Sequence, residues 1–342
     1  MKIVVAPDSY KECLSSREVA AAMADAALLA CPSAEVVQIP LADGGEGTLD
    51  VLAGALRAKV HNVRVSDPLG RTVVARFATC DGTGIIEVAQ ACGLHLLAPA
   101  ERNPIVASSK GVGELIMAAY RKGCRRLVIG LGGSATCDGG AGMLSVPGVR
   151  DVLLEASVEL LNDVSNPFIG PEGAARVFAP QKGASPAEVE VLENRMAGLA
   201  RTMAAETGVD VSSIPGAGAA GGLGGALIAY ADAEVRSGVD TVMQHTHFDA
   251  IVRGADIILT GEGRSDLQTL NGKVPYGVLR HCRGKRVALL SGAVDANAMG
   301  ALSGAGFWAV RAVTPEGMRP DIAMEPEITK QNILSAVIQT LS

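Results

Sequence analysis

Six polar or glycine-rich stretches follow apolar runs, five of them carrying charged side chains: PDSYKE, LADGGEGT, GGSATCDGGAG, APQKGA and TGEGRSDLQTLNGK, with PGAGAAGGLGG the uncharged sixth. Glycine is costly to order. Its gains are positive φ and close approach of backbone to a ligand, so glycine clusters at strand ends mark tight turns or sites. The N–H groups of such loops and of helix N-termini suit phosphate oxygens, and Lys11, Lys182, Arg264 and Lys273 add positive charge. Asp43, Glu46, Asp138, Glu262 and Asp266 bring carboxylates, which suit Mg2+ or the removal of a proton from a hydroxyl. Together these groups suggest phosphoryl transfer. Taken singly, each loop reads equally well as capping, in which Asp, Ser and Thr satisfy orphan N–H groups. Charges of both signs within one glycine loop exceed what capping requires, although Arg264 beside Glu262 and Asp266 also reads as a surface ion pair. Cys137, among amide donors and lysines, is expected to be reachable and to have a lowered pKa.

The elements that must position these loops follow from periodicity. KIVVAP reads as a strand, and a helix follows from about Ser15 to Leu29 with Glu18 in its first turn. VVQIPL is a second strand, followed by a helix over Leu49–Arg57. Ligands of parallel sheets gather at the carboxyl ends of strands, so Asp8, Ser9, Lys11, Asp43, Glu46 and Thr48 fall on one rim. From about His61 the pattern becomes alternating and β-rich, punctuated by DPLGR and CDGTG. Further on come a helix over Gly113–Lys122, the strand RRLVIG, a strand in ARVFAPQKG and a long amphipathic helix over Pro186–Thr207. The strands ADIILTGE, RVALLSG and FWAVRAV then alternate with helical stretches. The fold class is α/β with two domains. One is a flavodoxin/Rossmann-like parallel sheet made from both chain ends, residues 1–59 and 246–342; residues 60–245 form an inserted second α/β domain.

Composition narrows the function. The chain has 342 residues, 48% hydrophobic but only 3% aromatic, as suits strands buried beneath small-residue helices. A net charge of −6 with no basic run argues against a nucleic-acid partner. No apolar stretch is long enough to span a bilayer and no leader pattern opens the chain, so the expectation is a cytoplasmic protein without a membrane partner. Seven scattered cysteines show no metal-ligand spacing. GxxxxGK[ST], an early GxGxxG, HRD, DFG and GxSxG are all absent, which removes the commonest kinase and hydrolase folds. A sugar-nucleotide or acyl-phosphate enzyme would share the remaining features, and nothing specifies an oligomeric state.

The loops in this order closely resemble the bacterial glycerate kinases of the type I family: APDSYK, ADGGEGT, GGSATCDGGAGM, NP followed by PQKGA, PGAGAAGGLG and TGEGR-D-QT-GK. The resemblance runs nearly end to end. It implies ATP-dependent phosphorylation of D-glycerate to 2-phosphoglycerate with Mg2+, and a discontinuous two-domain fold with the site between the domains. By motif match it implies site residues Asp8, Ser9 and Lys11 in the opening loop and Asp43, Glu46 and Thr48 in the second. Gly132, Gly133, Ser134, Thr136 and Asp138 follow in the glycine stretch, with Asp163 and Asn166 in NDVSNP and Gln181 and Lys182 in PQKG. Glu262, Arg264, Asp266, Gln268 and Lys273 complete the set. The expected roles are Asp266 or Asp163 as base or metal anchor and Glu262 as a further metal ligand. Arg264 is expected to bind the glycerate carboxylate, and Lys11 and Lys182 the phosphates.

Four residues depart from the family pattern. Glu12 and Cys13 stand where Gly and Ser are frequent, Cys137 replaces Asn, and Asn162 replaces the Cys usual before Asp163. The passage from Ala141 to Pro167 is shorter than in family members, near 144–160, so a strand and hairpin of the second domain are expected to be trimmed, or activity altered. A kinase of another small hydroxy acid and a non-catalytic metabolite-binding relative stand as the alternative functions.

Overall fold

In the run KIVV, which forms β1 (Lys2–Val5), Ile3, Val4 and Val5 are all fully buried. A strand apolar on both sides belongs in the middle of a parallel sheet covered on both faces. The computed structural model describes residues 1–342 and divides them into two compact units, 1–43 with 239–342, and 44–238. Residues 44–59, grouped by periodicity with the chain ends, lie in the second unit, where the helix Thr48–Ala55 packs on its sheet. Residues 239–245 lie in the first, where Val239 packs against Gly277.

The first unit has five parallel strands in the order β13 (Ala309–Ala312), β11 (Arg286–Ser291), β9 (Ile257–Thr260), β1 and β2 (Glu35–Gln38). This is the flavodoxin-like order, in which the winding reverses between the first and third strands of the sheet, here β1 and β9. The loops leaving their carboxyl ends diverge and open a crevice. Ser15 caps the helix Ser16–Ala30 in a reciprocal capping box with Glu18, an arrangement worth about 1 kcal/mol. Val19, Ala20, Met23 and Ala27 of that helix meet Ile333 and Val337 of the helix Pro326–Leu341 and Ile3, Val5, Leu259 and Leu290 of the sheet.

The second unit carries a six-stranded sheet in chain order: β3 (Lys59–Ser66), β4 (Thr72–Cys80), β5 (Thr83–Glu87), β6 (Arg126–Gly130), β7 (Ser157–Leu161) and β8 (Glu234–Arg236). β3, β4 and β5 are antiparallel neighbours, and the pairs from β5 to β8 are parallel. The shortened passage leaves no gap in this sheet, because β7 pairs with both β6 and β8. ARVFAPQKG, expected as a strand, is the short helix Ala174–Phe178 followed by a 3-10 turn, Pro180–Lys182. Ala174, Ala175 and Ala179 are fully buried, a spacing that suits one face of a helix and breaks strand alternation. No helix is long and apolar enough to cross a membrane.

Candidate active site

At the β1/β9 switch point a cavity of about 620 Å3 is lined by Asp8, Ser9, Lys11, Asp43, Glu262, Arg264, Asp266 and Lys273. The structure thus brings together eight of the residues singled out from sequence. Asp8 is 5% exposed and its Oδ1 accepts from the Ser9 N–H at 2.7 Å. Burial, and then the neighbouring charge of Asp43, push the Asp8 carboxyl well above the ordinary range, against the pull of Lys11. Ser9 Oγ is buried with no hydrogen-bond partner. The loop is held by a turn in which Cys13 N and Leu14 N donate to Tyr10 O, and by Tyr10 Oη, which donates to Leu290 O at 2.7 Å. Glu12 occupies that turn at φ 60, a conformation natural to the Gly frequent there in the family.

Glu262 organises the opposite wall. It is 5% exposed; Oε1 accepts from Ser265 Oγ at 2.9 Å and Thr269 Oγ1 at 2.6 Å, and Oε2 lies 3.4 Å from Lys273 Nζ. Burial raises its pKa, while Lys273 and the two hydroxyls oppose the rise. Ser265 Oγ also shares a hydrogen bond with Ser291 Oγ, and β10 (Arg264–Ser265) pairs with β12 (Ala293–Val294), which fixes this loop to the one leaving β11. Asp266 caps the 3-10 turn Leu267–Leu270: its Oδ1 accepts from Gln268 N at 2.8 Å and lies 3.7 Å from Lys273 Nζ. Arg264 is mostly exposed and pairs loosely with Asp295 at 3.7 Å. Gln268 is exposed and outside the cavity lining.

In the second unit the glycines have a different use. A Cβ on Gly132 would stand 2.4 Å from Gly45 Cα, and one on Gly221, at φ +66, would stand 2.0 Å from Thr136 O. Three glycine stretches therefore lie backbone against backbone, joined by Gly132 N to Gly44 O and by Gly139 N to Gly221 O. Asp138 is consumed in the same packing. Its Oδ2 accepts from Ser109 N, Ser109 Oγ and Gly142 N, and its Oδ1 from Gly140 N. Lys182, 4% exposed, donates to Ser134 Oγ at 3.0 Å and Thr136 O at 2.7 Å; burial lowers its pKa. Asp163 Oδ1 accepts from Gly238 N, and Asn166 Nδ2 donates to Glu172 O. Glu46, Gly133 and Gln181 are exposed, Gly132 is half-buried, and Thr48 is buried with Oγ1 unpaired.

Cys137 corrects an expectation. It is 2% exposed, its Sγ contacts Met196 Sδ, and burial pushes its thiol up to about 11 despite Lys182. Desolvation of a thiolate outweighs a cation that is already engaged elsewhere. Sequence reasoning also missed Glu87, a carboxyl 1% exposed at the end of β5. Its Oε2 accepts from Gly47 N and Leu49 N at 3.1 Å each, holding the ADGGEGT loop at the start of its helix. Burial raises Glu87 to about 7. The signal was a charged residue ending the apolar run GIIE. Ser109, which holds Asp138, offered no such signal.

A flavodoxin-like sheet with a charged cavity at its switch point, continued in the same chain by a mixed α/β unit, defines an α/β protein built to take a small charged ligand. The sequence model of the glycerate kinase family matches residues 3–153 and 144–341, two stretches that overlap within the shortened passage. The glycerate 2-kinase of Escherichia coli (strain K12) is 40% identical over 308 residues, covering 81% of each chain. The glycerate kinase of Bacillus subtilis (strain 168) is 40% identical over 320 residues, 85% of this chain and 84% of that one. A crystal structure from Salmonella typhimurium LT2, described as a glycerate kinase 2, superposes with a TM-score of 0.81 at 36% identity, covering 100% of this chain and 97% of the other. The chain belongs to the glycerate kinase family. Membership implies ATP as phosphate donor.

Proposed function

We propose that this protein phosphorylates D-glycerate at its 2-hydroxyl with ATP, giving 2-phosphoglycerate and ADP. The observation that carries the reading is the switch-point cavity, where the buried Asp8 faces Lys11, Arg264 and Lys273. The hydroxyl oxygen of glycerate attacks the γ-phosphorus, the new O–P bond forms, and the bond to the β,γ-bridging oxygen breaks with its electron pair leaving on ADP. Asp8 takes the hydroxyl proton; a carboxylate raised by burial is a stronger base than a solvated one. Lys11 and Lys273 lower the cost of charge developing on the phosphoryl oxygens, and exposed Arg264 is placed to pair with the carboxylate of glycerate.

For Mg2+ the donor set fits the mode in which one protein carboxylate completes a site made mainly by phosphates and water. No cluster of three or more His, Cys, Asp or Glu holds a metal by itself. Of the expected ligands that line this cavity, Glu262 has both oxygens engaged, and Asp266, half-buried beside Lys273, is the residue that would hold the ion. When bound, Mg2+ neutralises phosphate charge.

A coupled assay of ADP release with MgATP and D-glycerate tests the reading, with phosphorus NMR distinguishing the 2- from the 3-phosphate. Asp8→Asn is expected to lower kcat by ~10²-fold or more. No glycerate-dependent turnover above an enzyme-free control would remove the proposal, and a full rate in Asp8→Asn would remove Asp8 as base.

A further inference from the structure

The first unit's cavity is far larger than a three-carbon acid requires, and its lining is of two chemical kinds. Beside the charges described above, a short stretch of chain contributes an apolar wall of Met318, Pro320, Ala323 and Met324. Glycerate, with a carboxylate, two hydroxyls and three carbons, has no apolar face to set against such a wall. A purine has two, and thioethers adapt to flat aromatic rings with favourable sulfur contacts.

The wall is braced from behind. Thr329 Oγ1 donates to Ala323 O at 2.7 Å, Cys13 Sγ lies 3.0 Å from Thr329 Oγ1, and Asn332 Nδ2 lies 3.5 Å from Met318 Sδ. Thr329 and Asn332 are both buried, while Met324, which lines the cavity, is 43% exposed. In the second unit the glycine stretches are filled by their own backbone and Asp138 and Lys182 spend their hydrogen bonds internally, although Thr48 Oγ1 and Thr136 Oγ1 are buried without partners there.

Resting on the kinase reading, we infer that the switch-point cavity takes the nucleotide, with its base on the Met318–Met324 wall and its phosphates turned towards Lys11 and Lys273. The buried, unpartnered Ser9 Oγ gains an acceptor when a phosphate lies beside it. Cys13 stands at the foot of the wall and reports its occupancy.

The test uses the full-length protein and ADP, without turnover. ADP is expected to slow alkylation of Cys13 by N-ethylmaleimide at least tenfold, located by peptide mapping, while glycerate alone leaves it unchanged. Ala323→Trp, which fills the wall, is expected to weaken ADP binding measured by calorimetry at least tenfold and to raise the KM for ATP while the KM for glycerate stays within twofold. Met324→Ser, at an exposed position, repeats the measurement should the tryptophan disturb folding, with a loss of about threefold or more expected. ADP affinity unchanged in both variants, or Cys13 protected by glycerate and not by ADP, overturns the inference while the kinase reading stands. Cys13 protection and ADP binding without phosphorylation of glycerate overturn the kinase reading and leave the nucleotide site in place.

Discussion

Glu87 offers the sharpest test of the energetics. Its carboxyl sits 1% exposed at the end of β5, and burial moves it from an ordinary 4.5 to about 7 even though the N–H groups of Gly47 and Leu49 favour its charged form. A folded-state pKa above the unfolded value means that the folded chain holds the proton more tightly. The native state therefore suffers no penalty below about pH 4.5, loses stability progressively as pH rises towards 7, and carries a constant penalty above that. A shift of this size corresponds to about 3 kcal/mol at 1.36 kcal/mol per unit. Glu87→Gln keeps an acceptor oxygen for both N–H groups and cannot ionise, so it mimics the protonated side chain at every pH.

The difference in stability between Glu87→Gln and the parent isolates this one group, because all other titrations cancel. It is expected to grow in favour of the glutamine by about 3 kcal/mol between pH 4.5 and pH 8. For a unit of this size that is a divergence of roughly 6–12 °C in Tm, read by scanning fluorimetry in buffers matched for ionic strength. A Tm difference constant to within about 1 °C across that range, or one that moves in favour of the glutamate as pH rises, would refute the claim that desolvation dominates at this carboxyl.

Two further outcomes follow from backbone geometry. Glu12→Gly removes a side chain held at φ 60, a conformation that costs non-glycine residues about 1–2 kcal/mol, part of which glycine returns through its freer unfolded state; a net gain of up to about 1 kcal/mol in denaturant unfolding is expected, and a loss would show that the turn is unstrained. Gly132→Ala places a Cβ 2.4 Å from Gly45 Cα, where no side chain can swing aside, so a loss of about 1–3 kcal/mol or more is expected, and unchanged unfolding would show that the interlocked glycine stretches yield freely.

Much of the fold was legible because periodicity reports burial. The helix Pro186–Thr207 was delimited correctly, and the structure shows why: a Ser185–Glu188 capping box opens it and Gly208 at φ 79 closes it. The strands of the first sheet were legible as apolar runs. ARVFAPQKG was misread because five helical residues followed by a Pro-initiated turn are too few to show a helical period. The place where the chain enters the second unit, between residues 43 and 44, falls inside the ADGGEGT loop. Alternation in β3 and β4 announced a change of architecture only after it had occurred.

The site was legible in part, for a reason visible in its carboxylates. Asp8 and Asp138 look alike in sequence: each is an acid in a polar loop after an apolar run. In the structure Asp138 accepts four hydrogen bonds from Ser109, Gly140 and Gly142 and is spent on holding a turn. Asp8 accepts one, from Ser9, and faces a cavity with its pKa raised. The glycines divide in the same way, since a residue without a side chain is needed wherever backbone comes close to another group, whether a ligand's phosphate or a neighbouring loop. Gly132 and Gly221 meet backbone. What separates a catalytic loop from a structural one is therefore whether its polar atoms are already satisfied, a property of the partners across the fold rather than of the loop's own composition. By that criterion the loop after β1 retains an unspent group in Ser9 Oγ, and the GGSATCDGGAG stretch, richest in glycine, retains one in Thr136 Oγ1 while its Asp138 and its glycines hold its own unit together.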